Sequence, residues 1–121
     1  LVNIDCHFNN TLLIKYDKNQ MQQCLINLFK NGIEAMKDMG GTLCIDVSEQ
    51  ERNIVILITD EGIGMMKDEV LQLGKPYYST KKEGTGLGLL MVYGMISKVN
   101  GSIEVDSKKG LGTTFTITIP V

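Results

Sequence analysis

The sequence predicts an α/β protein: a two-layer sandwich whose mixed, mostly antiparallel sheet of about five strands is covered on one face by three helices. Three observations predict it. Stretches that alternate apolar and polar residues, the period of a half-buried strand, occur near both ends and in the middle of the chain. Between them lie two segments with apolar residues at helical spacing. Their order, strands interleaved with helices and closing on a strand pair, is that of a single sheet with helices layered on it.

Taken in order, Val2 to Phe8 alternates and reads as a strand, and Leu12 to Ile14 as a second, short one. From Lys18 to Met39 the period becomes helical, with Met21, Leu25, Leu28, Gly32 and Met36 on one stripe, Asp17 as N-cap and Gly40-Gly41 as the stop. Leu43, Ile45 and Val47 alternate with Cys44, Asp46 and Ser48, a half-buried strand. Glu49 to Asn53 is a polar turn of hairpin length. Ile54 to Ile58 is apolar without a break and reads as a central strand covered on both faces. Met65 to Leu73 reads as a short helix. A further helix, striped by Leu87, Leu90, Met91, Gly94 and Met95, ends near Asn100-Gly101. Two strands close the chain, Ser102 to Ser107 and Thr113 to Ile119, around a tight turn at Lys108-Lys109-Gly110. In the second, Phe115, Ile117 and Ile119 face in.

Composition narrows the function classes. A chain of 121 residues holds one domain, 1–121. A net charge of −2 and an isoelectric point near 5.3 leave no electrostatic footprint for nucleic acid or anionic lipid. No apolar run approaches the roughly 20 residues of a membrane span. Cys6, Cys24 and Cys44, odd in number and without metal-ligand spacing, read as small buried hydrophobes of a reducing, cytoplasmic setting. His7, the lone histidine, falls on the solvent side of its strand and is not read as catalytic. A start at Leu1 suggests a piece of a longer chain.

Two glycine-rich stretches carry the chemistry. Asp60-Glu61-Gly62-Ile63-Gly64 closes the apolar strand. A carboxylate there accepts from an exocyclic amine such as adenine N6, while Gly62 and Gly64 admit a flat ring. Gly84-Thr85-Gly86-Leu87-Gly88-Leu89 opens a helix, whose N-terminus offers N–H groups to an anion. It lacks the Lys-Ser/Thr of a P-loop and does not follow a first strand as the dinucleotide fingerprint requires. Gln23, Asn27 and Asn31 lie four apart on one helical face. They form either a solvated polar face or a site wall in which asparagine oxygens help hold Mg²⁺. Lys30, about 60° around the helix from Asn27, is either a phosphate neutraliser or a surface lysine.

The order of these stretches is more specific than any one. Asn27-Leu28-Phe29-Lys30-Asn31-Gly32, Asp60-x-Gly62-x-Gly64, Pro76-Tyr77-Tyr78-Ser79-Thr80-Lys81, Gly84-Thr85-Gly86-Leu87-Gly88-Leu89 and Gly110-x-Gly112-Thr113 together span roughly three-quarters of the chain. That order resembles the N, G1, F, G2 and G3 boxes of the catalytic ATP-binding domain of sensor histidine kinases, within the gyrase, Hsp90, histidine kinase and MutL superfamily. The Asn27 to Met36 run is similar to sporulation-type kinases.

The resemblance implies that Asn31 holds Mg²⁺ against the phosphates of ATP and that Asn27 supports metal and phosphates. It implies that Asp60 accepts from adenine N6 with Thr113 joining through water, over a floor of Gly62 and Gly64. Thr85 and the amides of Gly86, Leu87, Gly88 and Leu89 would cradle the phosphates. Residues from about 74 to 85 would form an ATP lid, with Lys81 or Lys82 at the γ-phosphate. Tyr77 and Tyr78 stand where the family usually has phenylalanine, and Gly32 where alanine is commoner.

The hydrolytic branches resemble one another in a glutamate at position 27. Asn27 cannot serve as that base, so transfer to an outside nucleophile is favoured over hydrolysis. The implied partners are a dimerisation domain bearing the phosphoacceptor histidine and, downstream, a response regulator. Nucleic acid and direct membrane contact are not expected, and the setting is cytoplasmic. The competing reading is a nucleotide-gated interaction module like the anti-sigma serine kinases, which the long segment from Pro76 to Lys81 disfavours. A lidded ATPase is third, and Asn27 opposes it.

Overall fold

The computed structural model describes residues 2–8, 18–73 and 87–120. They form β1 (Val2–Phe8), α1 (Lys18–Ala35), β2 (Gly41–Gln50), β3 (Asn53–Asp60), α2 (Lys67–Gln72), α3 (Leu87–Lys98), β4 (Ser102–Lys108) and β5 (Gly112–Pro120). The strand expected at Leu12 to Ile14, the cap at Asp17 and the lid at 74–85 lie outside the described residues.

The strands make one mixed sheet in the order β1-β2-β3-β5-β4. β1 runs parallel to β2, with Ile4 opposite Leu43 and Cys6 opposite Ile45, and α1 carries the crossover between them. Every other pairing is antiparallel. The core lies between the sheet and α1 and α3. Cys24, Leu28 and Met36 of the α1 segment and Val92 and Ile96 of α3 pack on Leu43, Ile45, Ile54, Ile56, Ile58, Phe115, Ile117 and Ile119.

Strand β3 is central, as its apolar run suggested, but among the described residues helices cover it on one face only. Ile54, Ile56, Ile58 and Asp60 are buried while Val55, Leu57 and Thr59 stay half-exposed. The unbroken run hid this alternation because Val55 and Leu57 are apolar on the side without helices. Cys44 is likewise half-exposed on that side, unlike the buried Cys24.

Two helices differ from expectation in informative ways. Helix α1 stops at Ala35 rather than Met39. In a continuing helix the Ala35 carbonyl would accept from Met39; instead it accepts from the Ile63 N–H at 3.1 Å, and Met39 turns back to Met36 at 3.2 Å. The buried stripe of α3 runs through Val92 and Ile96, with Leu89, Met95 and Val99 against the core, whereas Met91 and Gly94 are exposed. The α3 segment ends at Asn100, whose φ of 61° and N–H bond to Ser97, with Gly101 bonding to Ile96, make a Schellman cap.

Candidate functional site

The C-terminal end of β3 delivers a carboxylate to the helix-covered face. Alternation along β3 puts Asp60 in the same row as Ile54, Ile56 and Ile58, so it is buried to 6% exposure. Its Oδ1 accepts from the Gly62 N–H at 2.9 Å. Burial pushes the carboxyl above its ordinary pKa, while N–H bonds from Gly62 and Thr113 pull it back.

The turn after Asp60 is held by close backbone approaches that only glycine permits. A Cβ on Gly62 would lie 2.5 Å from the Ala35 carbonyl oxygen, and one on Gly64, at φ 69°, would strike the Lys108 carbonyl. The β4–β5 turn closes the other side, with Gly110 donating to the Ile63 carbonyl at 2.6 Å. Gly112, at φ 118°, lies so close to the Asp60 carbonyl that no side chain fits. Glu61 turns away from the carboxylate, accepting from Thr42 N–H at 2.7 Å while its own N–H meets Met36 Sδ at 3.3 Å.

Thr113 stands beside Asp60. The two are antiparallel partners on one sheet face, and Thr113 is equally buried. Its other partner is Ser107 on β4, with the two hydroxyls 2.7 Å apart. Ser107 Oγ also accepts from Met65 N–H at 2.8 Å and reaches the Gly112 carbonyl at 3.1 Å. The motifs do not single Ser107 out. Its signal was the period: it extends the Ile103–Val105 face of β4 and is polar where that row should be apolar.

Helix α1 forms the second wall. Gly32 brings its backbone over the carboxylate: a Cβ there would stand 3.5 Å from Asp60 Cβ and 2.6 Å from Leu43 Cδ1. Asn31 precedes it and is half-buried. One turn earlier, half-buried Asn27 accepts from Gln23 Nε2 at 3.4 Å. Asn27 also faces the first turn of α3, where a Cβ on Gly88 would lie 3.9 Å from its Cγ. The Asn27 amide and the first turn of α3, whose N–H groups have no acceptor within the helix, thus lie close together. Lys30 is exposed.

The structure therefore brings together Asp60, Gly62, Gly64 and Thr113 at one end and Asn27 with Gly88 at the other, joined by α1. Leu89 packs against the core, and Leu87 begins α3. Lys81, Lys82, Thr85 and Gly86 lie outside the described residues.

Among the described residues no group of three or more His, Cys, Asp or Glu comes together as a metal cage. The available donor, the Asn27 amide oxygen near the start of α3, suits Mg²⁺, which takes few protein ligands and completes its shell with phosphate and water.

Comparison with known proteins identifies the family and the fold. Residues 16–121 match the family described as histidine kinase-, DNA gyrase B-, and HSP90-like ATPase. The chain is 44% identical over 106 residues to sporulation kinase E of Bacillus subtilis, covering 87% of this chain and 14% of that protein. It is 39% identical over 114 residues to the sensor histidine kinase ZraS of Escherichia coli K12, covering 93% of this chain and 24% of that one. The catalytic domain of histidine kinase ThkA, solved nucleotide-free, superposes with a TM-score of 0.85 at 25% identity over 98% of this chain and 78% of that one. Full-length ShkA in complex with AMPPNP has the same fold, at a TM-score of 0.85 and 21% identity over 98% of this chain and 25% of that one.

Proposed function

This chain belongs to the histidine kinase-, DNA gyrase B-, and HSP90-like ATPase family, and on that premise we propose that it binds Mg-ATP and holds the γ-phosphoryl for transfer to a histidine on a separate, dimeric phosphoacceptor domain. The chain spans between 14% and 28% of the sporulation kinases it matches. The remainder of such a protein is where the acceptor, and a response regulator's docking surface, belong. A cytoplasmic setting follows from that role.

The observation that carries the reading is Asp60: a buried carboxylate at the end of the central strand, floored by glycine and facing a helix of amides. In this role Asp60 accepts from the adenine amine and fixes the base. The N–H groups at the start of α3 take the phosphates, with Lys81 or Lys82 of the preceding segment at the γ-phosphate. Asn27 and Asn31 are the residues that would hold Mg²⁺, which would supply neutralisation of phosphate charge. Nothing in this arrangement performs covalent chemistry. The chain's contribution is positioning and charge neutralisation.

The experiment is calorimetric titration with a non-hydrolysable ATP analogue, with and without Mg²⁺. Asn31→Ala is expected to weaken Mg²⁺-dependent binding about tenfold or more while moving the Mg²⁺-free affinity by a few-fold at most, since one hydrogen-bonded ligand to a charged group contributes about 1.5–3 kcal/mol. Equal losses in the two conditions would remove the metal role.

A further inference from the structure

The hydroxyls beside Asp60 have a determined direction. A serine hydroxyl has one proton and two lone pairs. One lone pair of Ser107 Oγ is taken by the Met65 N–H at 2.8 Å. The Gly112 carbonyl, 3.1 Å away, can only accept, so the Ser107 proton goes there. The remaining contact, 2.7 Å to Thr113 Oγ1, is then satisfied only if Thr113 is the donor. This assignment satisfies every contact of Ser107. The reverse sends its proton to Thr113 and leaves the Gly112 carbonyl contact without one.

The proton of Thr113 is thereby directed away from Asp60. Asp60, Thr113 and Ser107 form one row across β3, β5 and β4, since Asp60 pairs with Thr113 and Thr113 with Ser107. On the side of Thr113 toward Asp60 only lone pairs remain, next to a carboxylate that itself only accepts when ionised. We infer that Ser107 is a positioning residue for base selection: by drawing off the Thr113 proton it makes the wall around Asp60 acceptor-only. Such a wall suits a base with a 6-amino group and opposes one with a 6-carbonyl.

The inference rests on Asp60 being the base-recognition carboxylate, and goes beyond it by assigning a residue two strands away. Without Ser107 the Thr113 hydroxyl can rotate and donate toward a 6-carbonyl, relaxing selection without touching the base itself. A mismatch of acceptor against acceptor is the kind of buried polar conflict from which discrimination arises.

The test is calorimetric, comparing ADP with IDP, which differ only at the 6-position and N1. The wild-type chain is expected to prefer ADP by at least about a hundredfold. Ser107→Ala is expected to narrow that ratio at least tenfold, with much of the change a gain for IDP, while Ser107→Thr restores it. In a Thr113→Val background, which has no hydroxyl to redirect, Ser107→Ala should leave the ratio where Thr113→Val alone sets it. If Ser107→Ala fails to fold, Ser107→Cys, whose sulfur is a weak acceptor, carries the same expectation.

Equal losses for the two nucleotides in Ser107→Ala, or no change in either, would overturn the inference and leave Ser107 as a brace for Met65. A wild-type chain that binds neither nucleotide would instead remove the adenine reading of Asp60, a separable result.

Discussion

Asp60 is a carboxylate held where a carboxylate is costly. At 6% exposure, with its pKa raised mainly by burial, its charged form is less favoured in the folded chain than in the unfolded one. A group whose folded pKa exceeds its unfolded value lends stability that is fully present below the unfolded pKa and lost as pH rises through the folded one. Above the folded pKa the ionised side chain is therefore a liability to the fold, and under the proposed function it is the ionised form that accepts from the adenine amine. Two outcomes follow. Asp60→Asn keeps an oxygen to accept the Gly62 N–H, so urea unfolding at pH 7 should show stability unchanged or raised by up to about 1 kcal/mol. Binding of ADP should meanwhile fall below detection by calorimetry. Unchanged affinity would remove the adenine assignment, and a collapsed fold would show the carboxylate to be structural. In the wild type, ADP affinity should decline as pH is lowered from neutral toward the ordinary carboxylate range, with the loss setting in above that range because the carboxyl gains its proton at a raised pKa.

At the scale of elements, what composes the candidate site was legible in the residues and what joins it was not. The end of β3, the amide face of α1 and the start of α3 are each announced by local patterns: an apolar run closing on Asp60, Asn27 and Asn31 four apart, glycines before a helical period. The joints are tertiary. Nothing local says that the Ala35 carbonyl will leave its helix for Ile63, so α1 reads four residues too long. The side of β3 without helices also carries apolar residues, so an alternating strand reads as covered twice. The α3 stripe was misread for the same reason: Met91 is apolar but exposed, while Val92 and Ile96 are the residues that reach the core. The β2–β3 connection was legible as a hairpin but not as strained. It is a two-residue turn with Glu51 at φ 50° and Arg52 at φ 66°, both in the left-handed region that costs such residues about 1 kcal/mol or more. Replacing Glu51-Arg52 with Asn-Gly should raise unfolding stability by about 1 kcal/mol or more without altering nucleotide affinity, because the turn lies at the strand ends opposite Asp60. Thermal unfolding with parallel titration checks both halves.

At the scale of the whole chain, we propose, holding a nucleotide is separated from cleaving it. The Asp60 and Gly88 ends are joined through one helix, and on that helix the position facing the α3 start is Asn27, an amide with no basic atom to take a proton from water. Gln23, which donates to Asn27, cannot substitute. The hydrolytic branches that this chain resembles carry a glutamate at position 27. Under the proposed function the difference falls where a water would be activated against a phosphate at the start of α3. Incubated alone with Mg-ATP, the chain should release phosphate no faster than a control without protein. Supplied in trans with a dimeric helical domain bearing a histidine, it should transfer the phosphoryl there, giving an acid-labile, base-stable phosphohistidine. Asn27→Glu should then convert part of that capacity into hydrolysis, since a positioned general base contributes about a hundredfold or more. Rapid phosphate release by the wild-type chain would contradict the separation. A silent Asn27→Glu variant that still binds ATP would show that this position does not face the reacting phosphate.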